Sequence, residues 1–235
     1  MAKEKAQAAR GDSTQKVKGK AKDQAKDQAK DKVKAKAQQS GEMPIRQDGP
    51  PPVMALTLPQ AELTPDIAAY FEKCREKIGY VPNVLLAYAH DMAKLAAFAG
   101  MYNDLMLAPS GLSKLEREMI AVAVSAENRC FYCLASHGAA VRVLSGDPVL
   151  GELLVMNWRA AKLSKRHKAM LTFATKMTRA SYEIIEEDRE ALRKAGFSTR
   201  DIWDIASVAA FFNMTNRLSS ALDMRPNVEY HRDGR

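Results

Sequence analysis

The sequence lacks the features of a membrane-spanning or secreted protein. No uncharged apolar run in its 235 residues reaches the roughly 18 to 20 residues that a membrane-spanning helix needs. The first ten residues, MAKEKAQAAR, hold no apolar core of a secretory signal. Their acidic residue and their preference for Lys over Arg are unlike a transit peptide. We therefore expect a cytoplasmic protein with no membrane span.

Cysteine is scarce as well. Three cysteines in a chain of this length cannot build a disulfide framework. In a reducing compartment, two closely spaced cysteines are more often redox-active or metal-bound than a permanent disulfide. The close spacing of Cys130 and Cys133 is therefore the feature that needs an explanation.

The excess positive charge lies almost entirely in the first 40 residues. They carry twelve basic and five acidic residues, a net charge of +7, whereas residues 41–235 carry 24 basic and 23 acidic residues, a net charge of +1. Because this segment is low in complexity and has almost nothing to bury, we predict a disordered, Lys-rich tail at 1–40. It has no aromatic residue on which a base could stack, so we favour a solvated tail over a nucleic-acid-binding arm.

The rest of the chain is predicted to be helical. Residues 41–52 hold four prolines and no apolar period, which indicates a stiff linker. Over 53–235 the apolar residues recur with a helical period and no segment alternates as a strand does. Helix-start signals recur at Thr64-Pro65, Ser113 with Glu116, Asp147-Pro148, Ser164 and Ser198. We predict one all-α domain over 53–235, a bundle of about seven or eight helices.

Both cysteines of the pair belong to the sequence AENRCFYCLASHG. We expect a helix to begin at Asn128 or Arg129. Each residue then advances by about 100°, which places Cys130, Cys133 and His137 on one helix face. Cys130 would lie in the first turn, where free backbone N–H groups and the helix dipole favour a thiolate. His137, one turn past Cys133, would be placed to exchange a proton with it.

Glu118 lies on the preceding predicted helix, at the flank of an apolar stripe. Its neighbours Glu116 and Arg117 are expected to point away from that stripe. A carboxylate that is partly buried among apolar side chains needs a partner. A histidine on an adjacent helix would supply one, so Glu118 and His137 together would form a proton relay for a thiol.

Other interpretations of these four residues stay open at this point. Two cysteines, a histidine and a glutamate are competent zinc ligands, although three ligands on one helix face fit a tetrahedron poorly. Each of the four residues alone is also common as a buried structural residue. Covalent haem attachment is excluded, because the histidine does not directly follow the second cysteine.

The pattern Glu-x11-Cys-x2-Cys-x3-His in an all-helical chain resembles the alkylhydroperoxidase D-like branch of the carboxymuconolactone decarboxylase superfamily. GYVPNVLLAYAHDM and FFNMTNRLSSAL resemble the longer members called peroxidase-related enzymes. The resemblance implies a thiol-dependent hydroperoxide reductase in which Cys133 attacks a hydroperoxide and Cys130 then closes a redox-active disulfide. Glu118 and His137 would relay the protons, and no metal, haem or flavin cofactor is implied.

The resemblance also implies partners and two accessory residues. A dithiol reductant, either lipoyl-bearing or thioredoxin-like, would reduce the disulfide. The helical units would associate as a homo-oligomer, a trimer or a hexamer. One position departs from the characterised peroxidase branch, because Tyr132 stands where that branch has a histidine, and a phenol does not readily shuttle protons near neutral pH. His90 is placed at a helix end, where a capping role is favoured over lining the pocket mouth.

A second hypothesis uses the same residues without catalysis. The basic tail and the Cys-Cys-His-Glu set would then belong to a redox-responsive or zinc-stabilised binding protein. Its tail would contact a partner such as nucleic acid, in a manner sensitive to salt.

Overall fold

The structure is a computed structural model that describes residues 52–235. The predicted tail at 1–40 and the predicted linker at 41–52, apart from Pro52, lie outside the described residues. The described part contains α-helices and no strand, which confirms the all-α class. Its α-helices are α1 (Pro65–Ile78), α2 (Asn83–Tyr88), α3 (Met92–Leu107), α4 (Lys114–Glu127), α5 (Phe131–Ser145), α6 (Pro148–Asn157), α7 (Lys165–Ala180), α8 (Glu186–Lys194) and α9 (Thr199–Ala221). Short 3₁₀-helices occupy Trp158–Ala160, Ser181–Glu183 and Val228–His231.

The nine α-helices of residues 52–235 compare with about seven or eight predicted from the sequence. The short helix α2 explains part of the difference, because its six residues make fewer than two turns. A segment of that length carries no readable helical period. Among the described residues, no helix is long and apolar enough to cross a membrane.

The five helix starts predicted from capping residues are confirmed, and one of them sets the position of Glu118. Ser113 precedes α4, and its Oγ accepts the backbone N–H of Glu116 at 3.1 Å. Glu116 Oε2 in turn accepts the backbone N–H of Ser113 at 2.9 Å, which completes a capping box. Local hydrogen bonds therefore fix where α4 starts. They thereby also fix the position of Glu118 along the helix axis.

Helix α4 is the central helix of the bundle. The six consecutive residues 119–124 are all 0% exposed. The helix contacts α5, α6, α7 and α9. A helix that is covered on every side belongs to the middle of a bundle, and its polar residues must find partners inside the protein.

This central position makes one sequence expectation wrong. Glu116 and Arg117 were expected to point away from the apolar stripe, yet both are buried. Glu116 accepts a hydrogen bond from Arg166 at 2.8 Å. Arg117 donates to the carbonyl oxygens of Leu105 (3.2 Å) and Ala108 (2.8 Å), at the end of α3. Both side chains lie on the buried part of the central helix, so their polar atoms find partners mainly in neighbouring segments.

Candidate active site

The junction between α4 and α5 places Cys130 in front of a helix and not within it. Arg129 adopts a left-handed conformation with φ of 53°, which breaks the chain direction after α4. Cys130 is then extended (φ −82°, ψ 106°) and is the N-cap of α5, which begins at Phe131. The expectation that Cys130 lies in the first turn, with the helix starting at Asn128 or Arg129, is therefore wrong by two or three residues.

Cys130 is the N-cap residue of α5, and Cys133 is the third residue of that helix. Hydrogen bonding from the Cys133 side chain lowers the pKa of Cys130 to about 6, although burial opposes this shift. The backbone N–H of Cys133 and the Ser220 side chain add to the lowering of this pKa. Cys130 therefore holds a thiolate at neutral pH.

Cys133 behaves in the opposite way. Its hydrogen bond to Cys130 and its burial raise the pKa of Cys133 well above the usual thiol value. The Asn216 and Ser219 side chains counteract part of this rise by hydrogen bonding to Cys133. The pair thus carries one negative charge, mainly on Cys130, and one proton, mainly on Cys133. Neither cysteine is in a disulfide.

Glu118 and His137 meet as a buried pair between α4 and α5. His137 Nδ1 lies 2.6 Å from Glu118 Oε2, and the two side chains are about 10% exposed. The edge of the His137 ring faces the ring of Phe212, with centroids 4.5 Å apart. The sequence expectation that Glu118 and His137 are neighbours is confirmed by this geometry. Nδ1 is engaged by Glu118, so Nε2 is the nitrogen left for exchange with another group.

Tyr132 links the start of α5 to helix α2. Its hydroxyl oxygen accepts the backbone N–H of Val84 at 3.0 Å. Its ring lies edge-on to Tyr230, with centroids 6.4 Å apart. Burial raises the pKa of Tyr132 above its usual range. The phenol therefore stays protonated and holds α2 against α5 in the place where the characterised branch has a histidine.

His90, the other accessory residue, follows the short helix α2. Its Nδ1 lies 3.0 Å from the carbonyl oxygen of Ala87, in the last turn of that helix. This contact fits the capping interpretation that the sequence favoured.

Residues 224–235, here called the C-terminal strap, cover the cysteine pair. Met224 and Tyr230 of the strap share an apolar cluster with Cys130 and Cys133. The two cysteines are 1% and 3% exposed, and Met54, Ala87 and Leu218 from other segments pack in or against the same cluster. The strap is therefore one of several segments that shield the cysteine pair from solvent.

Several hydrogen bonds tie the strap to the rest of the described chain, among them those of Asn83 with Asn227 and with the Arg225 carbonyl, and that of Tyr80 with Asp233. The backbone N–H of Arg225 donates to the carbonyl of Val53 at 2.9 Å. On the other side, Arg142 of α5 donates to the carbonyl oxygens of Tyr230 (2.6 Å) and Asp233 (2.9 Å). One buried side chain thus anchors the end of the strap to the helix that begins at the cysteine pair.

Replacing this anchor is expected to expose the thiolate without changing its acidity. Arg142→Gln removes two charge-assisted hydrogen bonds and should raise the rate of Cys130 alkylation by about tenfold or more. The pH midpoint should stay near 6, because the groups that lower the pKa of Cys130 lie in α5 and α9. Below that pH the thiolate is protonated and alkylation slows. Stopped-flow alkylation with iodoacetamide across pH 4.5–9 measures both quantities.

The matched control lies in the same strap. Arg235 pairs with Glu152 at 2.7 Å on the surface, so Arg235→Gln removes an arginine without releasing the anchor. It should leave the alkylation rate unchanged. Equal rates in the wild type and in Arg142→Gln would mean that the strap does not limit access to Cys130.

Sequence reasoning missed the polar groups that α9 contributes to the site. Asn216, Ser219 and Ser220 follow one another at the three- and four-residue spacing of one helix face. Asn216 reaches the thiol pair, whereas Asn213 donates to Thr178 Oγ1 (3.0 Å). The spacing of these residues predicts that they share one helix face. It does not predict which helix that face contacts.

The zinc interpretation of the four residues would require a cluster of ligating side chains. Within residues 52–235, no three His, Cys, Asp or Glu side chains are grouped as they would be around a metal ion. In particular, Glu118 is engaged with His137 at 2.6 Å.

The sequence profile of the Carboxymuconolactone decarboxylase family matches residues 93–148, which include Glu118, Cys130, Cys133 and His137. No curated protein matches the chain.

Solved structures share the fold over most of the chain. An uncharacterized peroxidase-related protein from Silicibacter sp. TM1040 is 63% identical with a TM-score of 0.77, and the match covers 81% of this chain and 100% of that one. The alkylhydroperoxidase AhpD core of an uncharacterized peroxidase-related protein from Ralstonia eutropha JMP134 is 42% identical with a TM-score of 0.75, covering 78% and 97%. The debrominase Bmp8, solved with 2,3,4-tribromopyrrole, has the same fold at 16% identity and a TM-score of 0.64, covering 77% and 97%. The full-length similarity to the first two proteins shows that this chain belongs to the AhpD-like, peroxidase-related branch of the carboxymuconolactone decarboxylase superfamily, a superfamily that includes enzymes.

Proposed function

We propose that the protein is a thiol-dependent hydroperoxide reductase that cycles Cys130 and Cys133 between a dithiol and a disulfide. The observation that carries this proposal is the meeting of the two thiols at the N-terminus of α5, with a thiolate on Cys130 at neutral pH. The buried pair of His137, one turn past Cys133 on α5, and Glu118 of α4 supports it. Thiolate character is what makes a cysteine react with peroxides.

The first half of the cycle oxidises Cys133. Its proton passes to Cys130 or to the His137–Glu118 pair, and the Cys133 thiolate attacks the distal oxygen of a hydroperoxide, ROOH. An S–O bond forms, the O–O bond breaks, and the leaving alkoxide takes up the proton and departs as the alcohol, ROH. Cys133 is then a sulfenic acid.

The second half closes the disulfide. The Cys130 sulfur attacks the sulfenic sulfur of Cys133, an S–S bond forms, and the S–O bond breaks. The departing hydroxide takes the second proton and leaves as water. One dithiol and one ROOH thus give one disulfide, one ROH and one water. His137 and Glu118 hold and return the protons, which is the task of a general acid–base pair.

A second dithiol restores the resting state. We propose a lipoyl-bearing or thioredoxin-like protein as the reductant, since two exchange steps transfer the oxidation to it and release the Cys130–Cys133 dithiol. Such a cycle suits the reducing cytoplasm. We also propose a homo-oligomer, a trimer or a hexamer, as the family resemblance implies. Large apolar side chains of Met156, Tyr182 and Trp203 lie exposed on the described chain, and an interface would cover them.

Intact-mass spectrometry tests the proposal. The reduced, metal-free protein is treated with one equivalent of an alkyl hydroperoxide, and its mass should fall by about 2 Da as one disulfide forms. Two of the three thiols should disappear in a parallel titration. Cys74→Ser serves as the control, because Cys74 lies on α1 and should not be needed for the mass change. An unchanged mass with all thiols retained would refute the proposal.

A further inference from the structure

The turn between α4 and α5 determines where Cys130 lies. The backbone N–H of Arg129 donates to the Ala126 carbonyl at 3.2 Å, and that of Cys130 donates to the Ser125 carbonyl at 3.0 Å. On its other side, the Cys130 carbonyl accepts the N–H of Leu134 in α5 at 2.9 Å. Cys130 thus joins the two helices, and its position depends on the turn keeping its conformation.

This turn uses a conformation that glycine adopts most easily. Arg129 is left-handed, with φ of 53°. Helices α1 and α5 end in the same kind of conformation, but there the residues are Gly79 and Gly146. A Cβ makes this conformation less favourable than it is for glycine, so it persists only where neighbouring groups hold it. The neighbours of the turn are therefore the groups that keep Arg129 in place.

Asn216 of α9 bridges the two sides of the turn. It is 1% exposed, its Nδ2 donates to Ser125 Oγ at 2.9 Å, and its Oδ1 accepts from Asn128 Nδ2 at 2.9 Å. Ser125 Oγ donates its own hydrogen to the Ala121 carbonyl at 2.6 Å, so it accepts from Asn216. One amide with a fixed orientation thus holds both the residue that bonds Cys130 N–H and the residue directly before Arg129.

Asn213, one turn earlier on α9, adds to this contact. Its Oδ1 accepts from Asn128 Nδ2 at 3.1 Å, so the two hydrogens of that NH₂ group have one acceptor each. Its own Nδ2 donates to Thr178 Oγ1 at 3.0 Å, which fixes its orientation. The turn is therefore docked on α9 through two amides, of which Asn216 also reaches Ser125.

Disulfide closure depends on how well Cys130 is held. A disulfide tolerates only a narrow range of Cα and Cβ positions. Cys133 is held within the first turn of α5, whereas Cys130 precedes the helix and takes its position from the turn. The rate of an intramolecular step falls steeply when one of the reacting groups is displaced.

We propose that Asn216 is a positioning residue, which joins Ser125 to Asn128, holds the left-handed turn at Arg129 and so keeps Cys130 in place to close the disulfide with Cys133. The inference rests on the proposed dithiol cycle. The step concerned is the second half of that cycle, in which one sulfur attacks the sulfenic sulfur of the other, an S–S bond forms, and hydroxide leaves as water.

The test separates closure from the first oxidation. Asn216→Leu keeps the approximate size of the side chain and removes both contacts. In a Cys74→Ser background, which leaves only the pair, one equivalent of an alkyl hydroperoxide is added together with dimedone. Peroxide should be consumed within about threefold of the parent rate, but closure should slow by about tenfold or more. The mass spectrum should therefore show the dimedone adduct of a sulfenic acid in place of the 2 Da loss.

Thr215→Val is the matched control, because it lies on the same helix next to Asn216. Thr215 is buried, and its Oγ1 donates to the Phe212 carbonyl of its own helix at 3.3 Å. Its loss should leave the share of the adduct unchanged. Equal shares in Asn216→Leu and its parent would overturn the proposal. Equal increases in both variants would also overturn it, since a general loosening of the bundle would then explain the result.

Oxidised glutathione replaces the peroxide in a second experiment. One cysteine sulfur attacks it, forms a mixed disulfide and releases one glutathione; the other cysteine then closes the disulfide and releases the second. The mixed disulfide should persist about tenfold longer in Asn216→Leu, and an equal lifetime would contradict the positioning role. Because this readout needs no peroxide, its failure is distinguishable from a failure of the peroxide cycle, which the mass change of the wild type reports.

A variant of the turn itself covers the case in which Asn216→Leu does not fold. Asn128→Ala removes a half-buried side chain and should slow closure in the same direction by a smaller amount. Adding Arg129→Gly should restore the rate, because glycine adopts the left-handed conformation without the help of α9. Unchanged closure in Asn128→Ala, or no recovery with glycine, would count against the turn as the means by which Asn216 acts.

Discussion

Cys133→Ser is expected to abolish hydroperoxide turnover, with a loss of at least about 10³-fold. The hydroxyl that replaces the thiol is far less acidic and far less nucleophilic, so neither the sulfenic acid nor the disulfide can form. Serine is close in size to cysteine, and the site is buried, so the fold should persist. Peroxide consumption in the presence of a dithiol, with circular dichroism as a check of folding, measures the effect.

Cys130→Ser should stop the cycle at a different point. Cys133 can still react with one peroxide, but no thiol remains to close the disulfide. The protein should therefore gain about one oxygen in mass as a sulfenic acid, which a dimedone probe traps. Steady-state turnover should fall as far as in Cys133→Ser, while the single reaction with peroxide survives.

The two variants also decide the order of attack. The family resemblance implies that Cys133 attacks first, whereas the hydrogen bonds at the N-cap place the resting thiolate on Cys130. A sulfenic acid trapped in Cys133→Ser but not in Cys130→Ser would reverse the two roles and keep the cycle. Full turnover in either variant would rule out a cycle that needs both sulfurs. Cys74→Ser should turn over like the wild type.

The helix starts were predictable because their signals are local. Ser113 and Glu116 lie three residues apart and satisfy each other, so the sequence alone indicates where α4 begins. The pairing of Glu118 with His137 was predictable for a related reason. Consecutive helices joined by a short turn pack side by side, and a polar residue at the edge of an apolar stripe finds the polar residue that faces it.

The start of α5 was not predictable in the same way. It depends on the left-handed conformation of Arg129, which is uncommon outside glycine and has no signal in its own side chain. Asn216 and the C-terminal strap are distant from Cys133 along the chain. Their contacts depend on how helices pack in three dimensions, which helical periodicity does not specify. The sequence could therefore name the four candidate residues of the site but not the distant groups that surround them.

Glu118→Gln is expected to lower the rate of the reaction with hydroperoxide by about 10²- to 10⁴-fold. The change keeps the size of the side chain but removes the charge that faces His137 Nδ1 at 2.6 Å. A glutamine can also present its NH₂ group to Nδ1 of His137, which places the ring proton on Nε2. Nε2 could then no longer accept a proton from a thiol. Single-turnover oxidation, followed by loss of free thiol, measures the chemical step separately from reduction.

Glu116→Gln separates catalysis from stability, because Glu116 is a second buried carboxylate on the same helix. It is bonded to Arg166 and to the N-cap of α4, and these hydrogen bonds lower the pKa of Glu116 despite the opposing effect of burial. Its loss should destabilise the protein by about 1–3 kcal/mol in urea unfolding, because Arg166 loses a charged partner. The oxidation rate should stay within about threefold of the wild type, since nothing connects Glu116 to the thiols. Equal rate losses in Glu116→Gln and Glu118→Gln would show that Glu118 has only a structural role. A normal rate in Glu118→Gln would show that the Glu118–His137 pair does not transfer the protons.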